Sequence, residues 1–413
     1  MMTRMKGLRC VATVGAVFLA ASMPARTDTL PSVRELPAPA IAGSGQPSLA
    51  VASDGRFLLS WIEPIAGKGH RLRFASRAKG TGTWSEPLTI AEGANWFVNW
   101  ADFPSLASLP DGTLFAHWLE KSGAGTYAYD VRVTASHDGG KSWSRPITPH
   151  RDGTQTEHGF VTMVPWSPRE MGIVWLDGRK TAGTAHADHG GAKAEMSLAH
   201  ATLGSDGRLG AEIILDGRVC DCCQTDAARA DAAVVVVYRD RSEEEVRDMS
   251  FVRFAQGRWS EPRPLARDGW EINGCPVNGP AIAARGAKVA AAWFTMAGGK
   301  ARVKAAFSGD SGGTFGDPLP VDDGQPLGRV DVLVLDDGAG LVSGLEQGDK
   351  GAELRVRRIT ADGARGKSLT VASSSAARSS GFPRMAASGG EVILAWRDAA
   401  EPPNVRTVVL SFP

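Results

Sequence analysis

The 413-residue chain places three cysteines within four positions, in the segment DGRVCDCCQTD at residues 216–226. Thiolates are soft ligands that bind Cu(I) or Zn²⁺, although C-x-C-C differs from the C-x2-C spacing of structural zinc knuckles. The same residues could instead form disulfides, whose pairing the spacing does not fix, or leave a free reactive thiol. The candidate metal ligands or disulfide partners are Cys220, Cys222, Cys223 and Cys275.

Two histidines precede this cluster in the segment HADHGG, and a third lies further upstream. Imidazole nitrogens suit zinc and copper, so His186, His189 or His158 could add ligands to the thiolates. A single histidine on a loop is more often simply solvated. Both interpretations stay open for these three residues.

Acids, arginines and loop aromatics form a second set of candidates. Two carboxylates across a pocket could act as acid and base in glycoside cleavage, or could simply hold loop amides. Arginines could clamp an anionic ligand or pair with neighbouring acids, and tryptophans could stack on sugars or cover the protein. The candidate catalytic residues are Asp177, Asp240 and Tyr238, and the candidate ligand-binding residues are Arg179, Arg239, Arg241, Trp96, Trp100 and Trp270.

The N-terminus has the pattern of a secretory signal. MMTRMKGLR is basic and CVATVGAVFLAASM is apolar, but this run is short for a membrane span. We expect residues 1–25 to be removed, giving a secreted or periplasmic monomer without a transmembrane segment. Loss of Arg4, Lys6 and Arg9 changes the net charge from +1 to −2. A near-neutral chain without basic runs is not expected to bind nucleic acid.

A repeated phrase indicates how these residues are positioned. An apolar strand ends in an aromatic residue, usually followed two positions later by an acid, at intervals of 51 to 63 residues. The seven copies centre on Trp61, Trp118, Trp175, Tyr238, Trp293, Gly344 and Trp396. The copies have the pattern of four short strands with Asp-Gly or Gly-Gly turns, except the last, which has only three strands. This predicts an all-β propeller of four-stranded blades, most simply seven, with six as the alternative.

The repeats fill one expected domain over residues 26–413. Its predicted blades span about 41–90, 103–150, 157–215, 226–266, 279–321, 328–372 and 382–412. Residues 31–41 have the pattern of an outer strand. We expect this N-terminal strand to pair with the last blade and close the ring, which would remove an open sheet edge.

Two turns carry a family resemblance. SHDGGKSW at residues 136–143 matches the Asp-box S-x-D-x-G-x-x-W of the sialidase superfamily, and SGDSGGTF at 308–315 matches except for Phe315. The resemblance implies a propeller fold and, for an enzyme, an exo-alpha-sialidase-like glycoside hydrolase. Sialidases also use an F/Y-R-I-P motif and a tyrosine late in the chain, and this sequence departs from both. The chain therefore resembles a non-catalytic or divergent relative.

The connections between blades and the loops after the aromatic strands should share one face, which we call the mouth. All the candidate residues above fall on such segments except Tyr238, which ends the strand just before the loop at residues 239–248. The first functional hypothesis is that the mouth binds, and could hydrolyse, a glycan or another anionic ligand. The alternative is a periplasmic metal-binding or redox accessory protein that uses the four cysteines.

Overall fold

The computed structural model describes Met1, residues 30–183 and residues 195–412. Its strands form seven separate antiparallel sheets, and the innermost strands of successive sheets contact one another around a closed ring. This confirms the prediction of a seven-bladed β-propeller with antiparallel blades. The predicted signal segment, His186 and His189 lie outside the described residues.

The first four blades follow the order of the chain, and each begins with its innermost strand. Blade 1 comprises β2 (Gly45–Val51), β3 (Phe57–Ile65), β4 (Gly69–Arg77) and β5 (Leu88–Gly93). Blade 2 comprises β6 (Ser105–Ser108), β7 (Leu114–Lys121) and β8 (Tyr129–Ser136). Blade 3 comprises β9 (His158–Ser167), β10 (Glu170–Asp177), β11 (Met196–Gly204) and β12 (Ile213–Val219). Blade 4 comprises β13 (Asp226–Ala230), β14 (Ala233–Arg239), β15 (Met249–Ala255), β16 (Arg258–Trp259) and β17 (Arg263–Pro264).

The remaining blades complete the ring. Blade 5 comprises β18 (Ala281–Arg285), β19 (Lys288–Thr295), β20 (Arg302–Ser308) and β21 (Leu319–Pro320). Blade 6 comprises β22 (Pro326–Val334), β23 (Gly340–Gly348), β24 (Gly351–Ile359) and β25 (Leu369–Ser373). Blade 7 comprises β26 (Arg384–Ser388), β27 (Glu391–Arg397), β28 (Val405–Ser411) and the N-terminal β1 (Ser32–Glu35). β1 pairs with β28 in antiparallel register, so the predicted closure of the ring is confirmed.

Helical structure is minor in the described residues. It consists of single 3-10 turns at Arg179–Thr181, Ala297–Gly299 and Arg378–Ser380. Among the described residues, no helix has the length and apolar character needed to cross a bilayer.

The repeated aromatic residue lies in the second strand of its blade and packs in the core. Trp61, Trp175 and Trp293 are fully buried. The indole nitrogen of Trp61 donates to Glu63 at 2.8 Å, and that of Trp175 donates to Asp177 at 2.9 Å. At these two repeats the acid therefore satisfies a buried indole, which explains the spacing of the phrase.

Buried aspartates near the central channel connect neighbouring blades. Asp102 accepts the backbone N–H of Phe160 at 2.8 Å, joining blades 2 and 3. Asp226 accepts that of Ile282 at 2.9 Å, which joins blades 4 and 5. Asp331 accepts a backbone N–H in the same way, which joins blades 6 and 7. The channel contains a cavity of about 230 Å³ that Asp102, Asp226 and Arg384 help to line.

Candidate functional site at the mouth of the propeller

The cysteine segment runs from blade 3 into blade 4 and lies against the end of β14. The Cys220 N–H donates to the Arg239 carbonyl at 3.0 Å, and Val219 forms a β-bridge with Asp240. The connection into blade 5 is held next to it, because the Gly279 N–H donates to the Gln224 side chain at 3.0 Å. These backbone contacts bring two cysteine-bearing loops together.

The four cysteines, all of them thiols in the structure, converge at this point. Cys220 Sγ lies 3.9 Å from Cys222 Sγ and 3.6 Å from Cys223 Sγ, and these three side chains are buried. Cys275 is half-buried, and it, Cys222 and Asp221 place one ligand atom each within 4.8 Å of one another. The structure thus places all four predicted cysteines in one cluster with Cys222 at its centre.

Positive charge surrounds the thiols. The buried Arg247 guanidinium has Nη1 3.4 Å from Cys220 Sγ and 2.8 Å from an oxygen of Asp221. Burial raises the pKa of Cys220 to about 11. Burial also opposes ionisation of Cys223, but the neighbouring thiols and the charge of Arg239 lower its pKa well below the ordinary value. The cluster can therefore hold a thiolate at Cys223 while Cys220 stays protonated.

The predicted ligand-binding arginines all have protein partners. Arg239 donates to the carbonyls of Asn278, Arg247 and Phe294 at 2.6 to 3.3 Å, and its guanidinium lies 4.7 Å from the Trp270 ring. Arg241 pairs with Glu245 at 2.6 Å. Arg179 forms a bidentate pair with Asp177, with both contacts at 2.7 Å, and also contacts Glu212.

The predicted catalytic residues are also held by neighbours. Burial raises the pKa of Asp177, but the Arg179 hydrogen bonds outweigh it, so the pKa falls below the ordinary value. Burial raises the pKa of Asp240, and the nearby Asp216 carboxylate adds to this. Tyr238 is fully buried and donates to Asp216 at 2.7 Å. The structure therefore places Tyr238 and Asp240 with Asp216, and Asp177 in blade 3 with Arg179.

The three predicted loop tryptophans differ in their surroundings. Trp96 is buried and stacks on Trp118 at 5.7 Å, and Trp270 is buried under Arg239. Trp100 is half-buried, stacks on Phe382 at 5.8 Å, and lies 5.1 Å from the Arg329 guanidinium. Of the three rings, Trp100 keeps the most exposed surface.

A buried tyrosine near the mouth was missed by the sequence reasoning. The Tyr129 hydroxyl lies 2.9 Å from Asp102 and 2.8 Å from Glu157. Burial raises the pKa of Asp102 to about 7, although the Phe160 N–H and the Tyr129 hydroxyl both favour its ionised form. No motif marks this trio, because its members come from three different segments of the chain.

Comparisons with known proteins show a similarity of fold. No family model matches the chain, and no curated protein is similar to it in sequence. A protein of unknown function from Dyadobacter fermentans has 15% identity and a TM-score of 0.51, with 93% of this chain and 98% of that one covered. An alpha-L-arabinofuranosidase of Fusarium graminearum has 13% identity and a TM-score of 0.51, with the same coverage. Trypanosoma rangeli sialidase has 12% identity and a TM-score of 0.46, covering 80% of this chain and 56% of that one. At these identities, the two similarities with a TM-score of 0.51 show a shared fold and no more.

Proposed function

We propose that the four cysteines form a thiolate centre that binds a soft metal ion, Cu(I) or Zn²⁺, at the mouth of the propeller. The main support for this proposal is the distance from Cys220 Sγ to the two neighbouring sulfurs, 3.6 Å to Cys223 and 3.9 Å to Cys222. In a tetrahedral zinc site with Zn–S bonds of about 2.3 Å, neighbouring sulfurs lie about 3.8 Å apart. Little movement would be needed for Cys220, Cys222 and Cys223 to bind a metal, with Cys275 completing the set.

The charge around the cluster supports the same proposal. Four thiolates around one divalent ion carry a net charge of about −2, which is costly to bury without compensation. Arg247 is buried in contact with Cys220, and the charge of Arg239 acts on Cys223. The two guanidinium groups can therefore offset part of the excess negative charge of a metal-thiolate centre, since Arg247 also pairs with Asp221 and Glu245.

The predicted export gives this centre its biological setting. We propose that residues 1–25 are a signal peptide and that the mature monomer handles copper or zinc in the periplasm or outside the cell. Free thiols in such a compartment are prone to oxidation, and metal binding would protect them. N-terminal sequencing of the exported protein and its mass in solution test the cleavage and the monomeric state.

Elemental analysis with thiol titration tests the centre. The exported protein, purified from the periplasm, is expected to carry about one copper or zinc ion, and its thiols should become reactive only after the metal is removed. Cys222→Ser should lose the metal, and Cys275→Ser should bind it more weakly because one ligand is gone. Metal-free protein with four reactive thiols, or with disulfides, would contradict the proposal.

A second candidate function is binding of a glycan at the mouth. A cleft of about 400 Å³ is lined there by small residues and by hydroxyl and amide side chains, which suit sugar hydroxyls. Its lining includes Gly123, Gly125, Thr154, Gln155, Thr156 and Thr181. A protein of the same fold, the Fusarium graminearum arabinofuranosidase, was solved with arabinobiose. Calorimetry with arabino-oligosaccharides and sialosides tests this function, and saturable binding that Thr154→Val abolishes would support it. The absence of binding to either class would reject it.

We also propose that the two sialidase-like turns are Asp-boxes with a structural role. Asp138 accepts the Ser142 N–H at 2.9 Å, and Asp310 accepts the Thr314 N–H at the same distance. Trp143 contacts Phe74 of the preceding blade edge-on at 6.1 Å. Asp138→Ala should therefore lower stability without changing metal content.

A further inference from the structure

A separate cluster of histidines and aspartates lies between blades 2 and 3. His158 Nε2 lies 3.1 Å from Asp152 Oδ1 and 3.8 Å from Asp177 Oδ2. His150 Nδ1 lies 3.3 Å from the same oxygen of Asp152. Asp130 lies on the other side, with an oxygen 3.7 Å from His150 Nε2. Two imidazoles and three carboxylates therefore share one small volume.

The two imidazoles are stacked and almost fully enclosed. Their planes differ by 2° and their centroids are 3.7 Å apart, while the side chains are 4% and 0% exposed for His150 and His158. Among the described residues, neither ring nitrogen of His158 makes a hydrogen bond of acceptable geometry, and the same holds for Asp152 Oδ1. Each buried polar atom without a partner costs about 1–3 kcal/mol, so these atoms require one.

The charges in this cluster favour a cation as that partner. Imidazole nitrogens and carboxylate oxygens are both ligands for a divalent cation, and one such atom from each of Asp152, His158 and Asp177 lies within 4.8 Å of the others. The Thr154 hydroxyl and N–H both donate to the second oxygen of Asp152, so they leave Oδ1 facing the cluster. Arg179 neutralises Asp177 only in part, since it also pairs with Glu212. The cluster therefore combines carboxylate oxygens with a buried imidazole nitrogen that has no hydrogen bond among the described residues.

We propose that His158, Asp152 and Asp177 bind a divalent cation that accepts nitrogen and oxygen ligands, such as Mn²⁺ or Zn²⁺. Ligand atoms at about 2.1 Å from such an ion lie roughly 3.0–3.4 Å from each other. The 3.1 Å between His158 Nε2 and Asp152 Oδ1 falls in this range. The 3.8 Å between His158 Nε2 and Asp177 Oδ2 requires a small movement of Asp177, whose Oδ2 also accepts from Trp175 and Arg179. His150 is not a ligand of the same ion, because its ring is parallel to that of His158 and stacks on it.

The position of this site connects it to the mouth. Asp152 belongs to the connection that leads into β9, and Thr154 and Thr156 of the same connection line the cleft described above. The Thr154 hydroxyl donates to Asp152 and exchanges a hydrogen bond of 2.8 Å with Thr156. A bound cation would therefore fix the wall of the cleft and lie beside any ligand in it.

Manganese binding tests this site separately from the cysteines, because Mn²⁺ prefers oxygen and nitrogen to thiolate ligands. Equilibrium dialysis of the full, chelator-treated chain against Mn²⁺ should show one saturable site per chain. Asp152→Asn and His158→Gln should each weaken binding at least about tenfold. Cys222→Ser, which belongs to the other cluster, should bind Mn²⁺ like the parent protein.

Near-UV circular dichroism establishes which variants remain folded, and Asp177→Asn serves if His158→Gln does not fold. Co²⁺ gives a second readout, since a His/Asp site lacks the sulfur-to-cobalt charge-transfer absorption of a thiolate site. In the Cys222→Ser protein, bound Co²⁺ without that absorption supports the proposal. Absence of saturable Mn²⁺ and Co²⁺ binding, or binding that the folded Asp152 and Asp177 variants leave unchanged, would overturn it.

Discussion

Arg247 and Cys220 meet in the protein interior, with the guanidinium Nη1 3.4 Å from the thiol sulfur. The same nitrogen donates to Asp221 at 2.8 Å, so Arg247 is fixed while it faces the cluster. Arg247 also pairs with Glu245 at 2.9 Å, so it supplies part of the positive charge that a metal-thiolate centre would need.

The first prediction concerns this contact. Arg247→Gln should weaken binding of Cu(I) or Zn²⁺ about tenfold, because the thiolates lose a compensating charge. Competition with a chromophoric chelator measures the affinity. Arg145→Gln removes an exposed arginine on the opposite face and serves as the matched control. Equal affinities in the two variants would show that Arg247 does not support the centre.

The second prediction concerns pH and Asp102. Its pKa is about 7 in the folded protein against an ordinary value of 3.8, so folding favours the protonated form. The stability that this gives is fully present below about pH 4 and is lost as the pH rises through about 7. Urea unfolding at several pH values should therefore show a smaller loss of stability in Asp102→Asn than in the parent protein. Parallel pH curves for the two proteins would refute the assignment.

The third prediction concerns the central channel. Arg384 lies 3.7 Å from Asp331, and the charges of Asp331 and Asp226 both act on it. Arg384→Met should lower the free energy of unfolding by about 2–3 kcal/mol, because it leaves the carboxylates of Asp331 and Asp226 without their cation. The loss should be smaller than for a fully buried ion pair, because Arg384 lines the cavity of the channel. Exposed Arg258→Met is the control, and chemical denaturation is the measurement. A loss no larger than that of the control would contradict this role.

Much of the fold follows from the sequence because the blade is a local pattern. Trp61, Trp118 and Trp175 recur at 57-residue intervals, and each lies in the second strand of its blade. The alternation around these residues is enough to predict strands and turns. Ring closure by β1 was also predictable, because the last repeat has only three strands and residues 31–41 have the pattern of an outer strand.

The candidate sites were less predictable, since they depend on how loops from different blades pack. Cys222 and Cys275 are 53 residues apart, and only the path of two connections brings them together. His150 lies in the connection into β9 and His158 begins that strand, but no motif indicates that their rings stack. The carbonyl partners of Arg239 have no sequence signal at all, because any residue type supplies a carbonyl.

The fourth prediction concerns the closure of the ring. β1 covers the edge of β28, and the buried Leu36 donates its N–H to the Thr407 carbonyl at 3.0 Å. Removal of residues 1–36 should expose that edge, lower the melting temperature and promote association between chains. Calorimetry and size-exclusion chromatography measure both effects. A truncated chain that stays monomeric and equally stable would show that β1 is dispensable.

X-ray absorption at the metal edge tests the thiolate centre most directly. The full chain is loaded with one equivalent of Cu(I), which prefers thiolate to the oxygen-rich His/Asp cluster. The proposal predicts a shell of three or four sulfur atoms, and a smaller number in Cys222→Ser. A shell of nitrogen and oxygen alone, or a sulfur number that Cys222→Ser leaves unchanged, would contradict a metal centre built from these cysteines.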